Sequence, residues 1–141
     1  MLSLSKLIPK HRSIYLCGAE TRLYDQNTFY KAFIADLNQA KKEVIIESPF
    51  ITKKRLSLLM PSLKNLNSRG IHVTVNARDP LDGEDTYYKN EFSEAVSELQ
   101  ELGVLVLYTI RHHRKLAIID KQTLWEGSLN ILSHNDSCEM M

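Results

Sequence analysis

Apolar residues recur along this chain at two alternating periods, and the alternation predicts the fold class. Phe29, Phe33 and Leu37 repeat every four positions, with Tyr30 and Ile34 beside them, as on the core-facing stripe of a helix. Asn27 is of the residue type that caps such a helix, which runs to about Ala40. Glu43-Val44-Ile45-Ile46-Glu47 then reads as a strand, and Pro49 ends it. From Thr52 onward, Leu56, Leu59, Leu63 and Leu66 share one helical face. Pro61 inside that pattern predicts a break or restart, because proline is costly in a helix interior. Arg69-Gly70 closes the helix with a glycine suited to a left-handed backbone.

The second half repeats the scheme. Ile71 to Val75 is a β-branched strand, followed by a loop from about Asn76 to Asp85 that contains Arg78, Pro80 and Gly83. A third helix from about Thr86 to Leu102 buries Tyr88, Phe92, Ala95, Leu99 and Leu102, and Gly103 ends it. Val104 to Tyr108 is continuously apolar, the pattern of a strand buried on both faces. Lys115 to Asp120 and Thr123 to Glu126 read as a hairpin joined by Lys121-Gln122, and the tail from Asn130 is polar. Helices alternate with strands and no internal repeat is evident. The expectation is a single α/β domain with a mixed β-sheet flanked by helices, residues 1–24 forming an N-terminal segment and 25–141 the core.

Composition narrows the classes without choosing among them. Hydrophobic residues make up 43% and charged residues 25% of 141, which excludes a disordered or fibrous chain. The formal net charge of +1 neither favours nor excludes nucleic acid, since a phosphate groove needs only local positive charge. Two isolated cysteines, Cys17 and Cys138, lack metal-ligand spacing and read as free thiols in a reducing compartment, although one disulfide between them stays open. The first ten residues lack the apolar stretch of a secretory signal, and no run reaches the roughly 20 apolar residues that span a bilayer. The chain is therefore expected to be cytoplasmic, with no membrane partner.

Candidate chemistry gathers in His113-Arg114-Lys115-Leu116-Ala117-Ile118-Ile119-Asp120 and in Gly127-Ser128-Leu129-Asn130. Alternate residues of a strand share a face, so His113 and Lys115 project together, about 7 Å apart, and can engage one phosphate. The imidazole suits a nucleophile or acid/base, and the ammonium holds anionic oxygens. Asp120 has the opposite parity and is expected to give structural support, pairing with a base behind the sheet. Gly127 lets backbone approach a ligand, while the Ser128 hydroxyl and Asn130 amide donate hydrogen bonds without adding charge.

His113-x-Lys115, four residues, Asp120, six residues, then Gly127-Ser128-x-Asn130 resembles the signature of the phospholipase D superfamily in identity and spacing at all six positions. Ile45-Ile46-Glu47-Ser48-Pro49-Phe50-Ile51, the leucine-rich helix and Arg69-Gly70-Ile71 are similar to the half-domain that precedes this motif. The resemblance implies a phospholipase D-like fold and a metal-independent, two-step displacement at phosphorus with no cofactor. One histidine forms a phosphohistidine, and a histidine of a second motif copy protonates the leaving oxygen and then activates water. It makes His113, Lys115 and Asp120 the catalytic triplet, Gly127, Ser128 and Asn130 the substrate-binding turn, and Glu139 the carboxylate that orients the histidine.

Only one His-x-Lys occurs, so a complete site calls for a second chain, most simply in a two-fold homodimer. Nucleic acid is the expected substrate, with Arg111 and Arg114 beside the motif and Lys53, Lys54 and Arg55 at a helix start as candidate backbone contacts. The plainer reading of Lys53 to Arg55 is a solvated face. His112 reads as a partly exposed loop residue before it reads as a neighbour that tunes the nucleophile, and the adjacent pair reads as a poor metal site. Trp125 reads as core before it reads as a base-stacking platform, and Cys138 as a small buried hydrophobe. A lipid phosphodiesterase, or a non-catalytic nucleic-acid-binding or assembly module from a larger helicase- or restriction-type protein, are the competing functions. The stop two residues after Glu139 leaves open that the chain is such an excised domain.

Overall fold

A computed structural model describes residues 13–16, 19–82, 86–133 and 141, with the backbone alone described at 13–16, 19 and 86–88. Glu139, Cys17 and Cys138 lie outside the described residues, and the expectation of a buried Tyr88 concerns a side chain that is likewise not described.

The order is β1 (Ser13–Leu16), β2 (Ala19–Arg22), α1 (Phe29–Gln39), β3 (Glu43–Glu47), α2 (Lys53–Ser68), β4 (His72–Arg78), α3 (Thr86–Glu101), β5 (Leu105–Thr109), β6 (Leu116–Ile119) and β7 (Thr123–Glu126), with a 3-10 turn at Pro80–Asp82 between β4 and α3. β1 and β2 form an antiparallel hairpin that the sequence reading did not foresee. The other strands make a mixed five-stranded sheet in the order β5-β4-β3-β6-β7, parallel from β3 through β5 and antiparallel at β6 and β7.

Register shows how the sheet divides its two faces. Val106, Val75, Ile46, Ala117 and Trp125 pair across all five strands, and every one is buried. Crossovers from β3 to β4 and from β4 to β5 advance in one direction, so a fixed crossover hand drops α2 and α3 on the same face. α1 joins that layer, with Phe29 and Phe33 packed around Trp125 at centroid distances of 5.2 and 5.9 Å. Trp125 is thus core, and its Nε1 donates to Asp36 Oδ2 at 3.1 Å.

Local chemistry corrects several boundaries. Thr28, not Asn27, occupies the cap of α1, and the Asp25 carboxylate accepts from the backbone N–H groups of Asn27 and Thr28 at 3.0 and 2.9 Å. Pro61 does not break α2: it sits on the exposed side, where water can solvate the carbonyl that loses its amide partner. β4 runs on through Asn76 to Arg78, because its parallel ladder with β5 extends to the Arg78–Thr109 pair. β5 is an edge strand with one open face, not a doubly buried one, and Leu105 and Leu107 are 57% and 46% exposed. The hairpin turn is centred on Asp120-Lys121, both at positive φ, with Gln122 N–H donating to Ile119 O at 3.0 Å. Of the tail read as polar, the described start from Asn130 to Ser133 is buried, and residues 134–140 lie outside the described residues. The two glycine stops hold: Gly70 and Gly103 have φ of +71° and +85°.

Candidate active site at the carboxyl edge of the sheet

β3, β4 and β5 all end at one edge of the sheet, and β6, running the other way, begins there. Ligands of open α/β sheets bind at that edge. His112 to Lys115 lead into β6 and Gly127 to Asn130 leave β7, so both halves of the motif arrive together. Gly127 N–H donates to Lys115 O at 3.2 Å and ties them.

The histidine–lysine stretch is not strand, which corrects the parity argument. Arg111 takes φ of +53° at the turn out of β5, its N–H donating to Asp82 Oδ2 at 2.8 Å, and residues 112–115 follow as irregular backbone. His113 and Lys115 are nevertheless held together, because Lys115 Nζ donates to His113 O at 3.0 Å. One of three ammonium donors is engaged in that bond. His113 is exposed and Lys115 half-buried, an arrangement open to an incoming anion.

His112 is the buried member of the pair, at 4% exposure, against the expectation of a partly exposed loop residue. Its Nε2 faces Glu47 Oε2 at 3.8 Å, too far for a hydrogen bond, and the Arg114 guanidinium stands 3.7 Å from the same oxygen. Burial pushes the His112 pKa down, Glu47 opposes that shift, and Arg114, His113 and Lys115 reinforce it. Among the described residues Glu47 Oε2, His112 Nε2 and Asn130 Oδ1 are buried without a hydrogen-bond partner, and all three lie at this edge. Buried polar atoms left unpaired are rare and costly, which sets this edge apart from the rest of the sheet.

Asn130 is positioned by a chain of bonds from the core. Tyr30 OH donates to Ile131 O at 2.9 Å, and Ser48 Oγ accepts from Leu132 N–H at 3.1 Å while donating to Phe50 O. The Arg55 guanidinium lies 3.7 Å above the Tyr30 ring, which brings this cation toward the Asn130 turn. Ser128 is exposed beside Gly127. Arg111, Arg114 and Lys54 are exposed, whereas Lys53 is drawn away: its Nζ pairs with Glu94 and its N–H donates to Glu91.

Asp120 does not join the cluster. It lies at the other end of β6, some five to seven residues from Lys115 and His113, roughly 15–20 Å along an extended chain. Nor does it pair with a base: its carboxylate accepts from the N–H groups of Lys41, Lys42 and Glu43 at 2.8, 2.7 and 3.1 Å. Desolvation would raise its pKa, but these backbone bonds together hold it below the usual carboxylate range. Its part is to lock the α1–β3 connection to the β6–β7 turn.

The sequence reading missed Glu47, Ser48 and Tyr30 as site residues and placed His112 first in an exposed loop rather than beside the nucleophile as a tuning group. The one available signal was Glu47-Ser48, a polar pair closing an apolar strand just before Pro49. Among the described residues no three His, Cys, Asp or Glu side chains group as metal ligands, and no helix is long and apolar enough to cross a membrane.

Fold and site together define an α/β domain whose His-x-Lys and Gly-Ser-x-Asn segments converge at the carboxyl edge of a mixed sheet. The family model described as cardiolipin synthase, PLD-like domain, matches residues 33–139, and the chain belongs to this phospholipase D-like family. NucT from Helicobacter pylori has the same fold, with a TM-score of 0.61 and 19% identity over 84% of this chain and 80% of that one. Polyphosphate kinase from Porphyromonas gingivalis superposes at a TM-score of 0.62 and 12% identity, over 84% of this chain but 22% of the kinase. No curated protein matches the sequence.

Proposed function

We propose that this chain is a metal-independent phosphodiesterase that cleaves nucleic acid through a phosphohistidine, with its site shared between two protomers. The observation that carries the reading is the joining of His113-x-Lys115 to Gly127-Ser128-x-Asn130 by the Gly127–Lys115 backbone bond, at the edge where α/β sheets bind ligands. An exposed imidazole beside an ammonium and neutral donors has the composition a phosphodiester needs.

In the first step an imidazole nitrogen of His113 attacks phosphorus, and the bond to the leaving oxygen breaks. That oxygen takes a proton from His113 of the second copy. The same second histidine then removes a proton from water, the resulting hydroxide attacks phosphorus, and the phosphorus–nitrogen bond breaks. Lys115, Ser128 and Asn130 hold the non-bridging oxygens as charge develops on them. The resemblance to the family signature assigns Glu139 to orienting the His113 ring.

Nucleic acid is favoured by the exposed cations Arg111, Arg114 and Lys54 around the edge. A lipid phosphodiester is the second reading, favoured by the description of the matching family model and by Ile110, 70% exposed beside Arg111. The test is hydrolysis of bis(p-nitrophenyl) phosphate, of single- and double-stranded DNA, and of phosphatidylglycerol vesicles, all in excess chelator, with His113→Ala as control. Chelator-resistant DNA cleavage lost in His113→Ala is expected. Turnover of the vesicles alone would assign the lipid, and DNA binding without turnover in either protein would make the chain a binding module.

A further inference from the structure

Among the described residues three other than glycine take a positive φ: Arg111, Asp120 and Lys121. Asp120 and Lys121 are the central residues of the β6–β7 turn, closed by the Gln122 N–H to Ile119 O bond, where a positive φ at both is the favoured arrangement. Arg111 has no such explanation. β5 and β6 are not neighbours in the sheet, so residues 110–115 cross the ends of β4 and β3 on their way between them. The crossing covers three strand spacings, roughly 14 Å, whereas its residues can stretch to about 20 Å. Chain length alone therefore leaves the path slack. A residue with a Cβ stays in the left-handed region only when its surroundings hold it there.

Asp82 supplies the hold. Its Oδ2 accepts from the Arg111 N–H at 2.8 Å and from Arg78 Nε at 3.0 Å, and its backbone O accepts from Arg78 Nη2 at 3.0 Å. Just upstream, the Asp79 N–H donates to Thr109 O at 3.3 Å and Thr109 Oγ1 donates to Asn76 Oδ1 at 2.9 Å, which bonds the exit of β4 to the exit of β5. The bond from the Arg111 N–H is the largest of the influences that hold the Asp82 carboxyl below the usual carboxylate range. We propose that Asp82 is a positioning residue, which through the Arg111 amide fixes the bend that sends His112 inward and presents His113 to the substrate. The inference rests on His113 being the nucleophile of the proposed reaction.

A change of φ at one residue swings the chain beyond it as far as the next fixed point. Here that point is Lys115, whose carbonyl accepts from the Gly127 N–H. His113 lies midway between the bend and that bond, so it is the residue that a released bend displaces. Misplacing a reacting group by about 1 Å can slow its reaction on the order of 100-fold. Arg111 thus has two separable parts: an exposed guanidinium suited to a phosphate backbone, and a backbone bend that Asp82 maintains whatever the substrate.

The two parts separate by substitution. Asparagine enters the left-handed region far more readily than valine, and either one removes the guanidinium, so Arg111→Asn and Arg111→Val differ in the bend and not in charge. In hydrolysis of bis(p-nitrophenyl) phosphate, Arg111→Val is expected to turn over about 10-fold more slowly than Arg111→Asn, in kcat rather than KM, with both folded by circular dichroism. Asp82→Ala is expected to lose about 10-fold in kcat, and Asp82→Asn, which keeps an oxygen acceptor, to regain most of it. With Arg111→Asn already present, Asp82→Ala is expected to lose less than about 3-fold. Equal kcat in the two Arg111 variants, or the same loss from Asp82→Ala in both backgrounds, would overturn the proposal. If Asp82→Ala unfolds, the Arg111 pair decides, because that side chain is exposed. A wild type without turnover would remove the phosphodiesterase reading instead. The clamp is then read from the His113 ring resonances by NMR, expected to move in Arg111→Val and to stay in Arg111→Asn. Resonances unmoved in both variants would overturn it.

Discussion

Burial sets the protonation of His112, and His112 ties the stability of the site to pH. In the folded chain the imidazole is kept neutral by desolvation, whereas the unfolded chain protonates it near the ordinary value of about 6.5. A depressed folded pKa means that its contribution is present above about pH 6.5 and is lost as pH falls through the folded value. The thermal midpoint of the wild type is expected to drop by several degrees between pH 7.5 and 5, and by less in His112→Gln, as followed by calorimetry. An unchanged slope in the variant would remove His112 from this role. The motif residues were legible because identity and spacing are local properties of the chain. Which of His112 and His113 turns inward was not legible, because Arg111 at φ of +53° resets the alternation just upstream. Glu47 was equally hidden: it reaches His112 only through the antiparallel pairing of β3 with β6.

Helices and strands were legible wherever one periodic stripe met one face. The leucines of α2 and the Phe29, Phe33 and Leu37 stripe of α1 are all buried as the spacing predicts. Pro61 was misread because periodicity does not say whether a proline falls on the wet side of a helix. Its interior position still costs helix stability, so Pro61→Ala is expected to raise the unfolding free energy by about 1–3 kcal/mol in urea titrations. Asp120 acts between elements rather than in the site. Asp120→Ala is expected to lower the thermal midpoint by releasing three amides of the α1–β3 connection, yet to keep its turnover per folded molecule. Because its folded pKa is depressed, this stabilisation is present above about pH 4 and is lost as pH falls further. Loss of turnover in folded Asp120→Ala would return it to the catalytic group. The position of β5 was not legible either, since an apolar run reads alike in the middle of a sheet and at an edge awaiting a partner.

Among the described residues the domain has two layers, with helices on one side of the sheet and the other side largely open, and the chain carries one His-x-Lys. Under the proposed function, turnover depends on association: below the dimer dissociation constant the rate is expected to rise as the square of protein concentration, and above it linearly. Strict first-order dependence down to a demonstrated monomer would contradict sharing. The most direct measurement is to quench the enzyme at alkaline pH during turnover of bis(p-nitrophenyl) phosphate and map adducts by mass spectrometry. A p-nitrophenyl phosphoryl group on His113, absent from His113→Ala, is the expected result. Sustained turnover with no adduct on His113, or undiminished turnover in His113→Ala, would contradict the account.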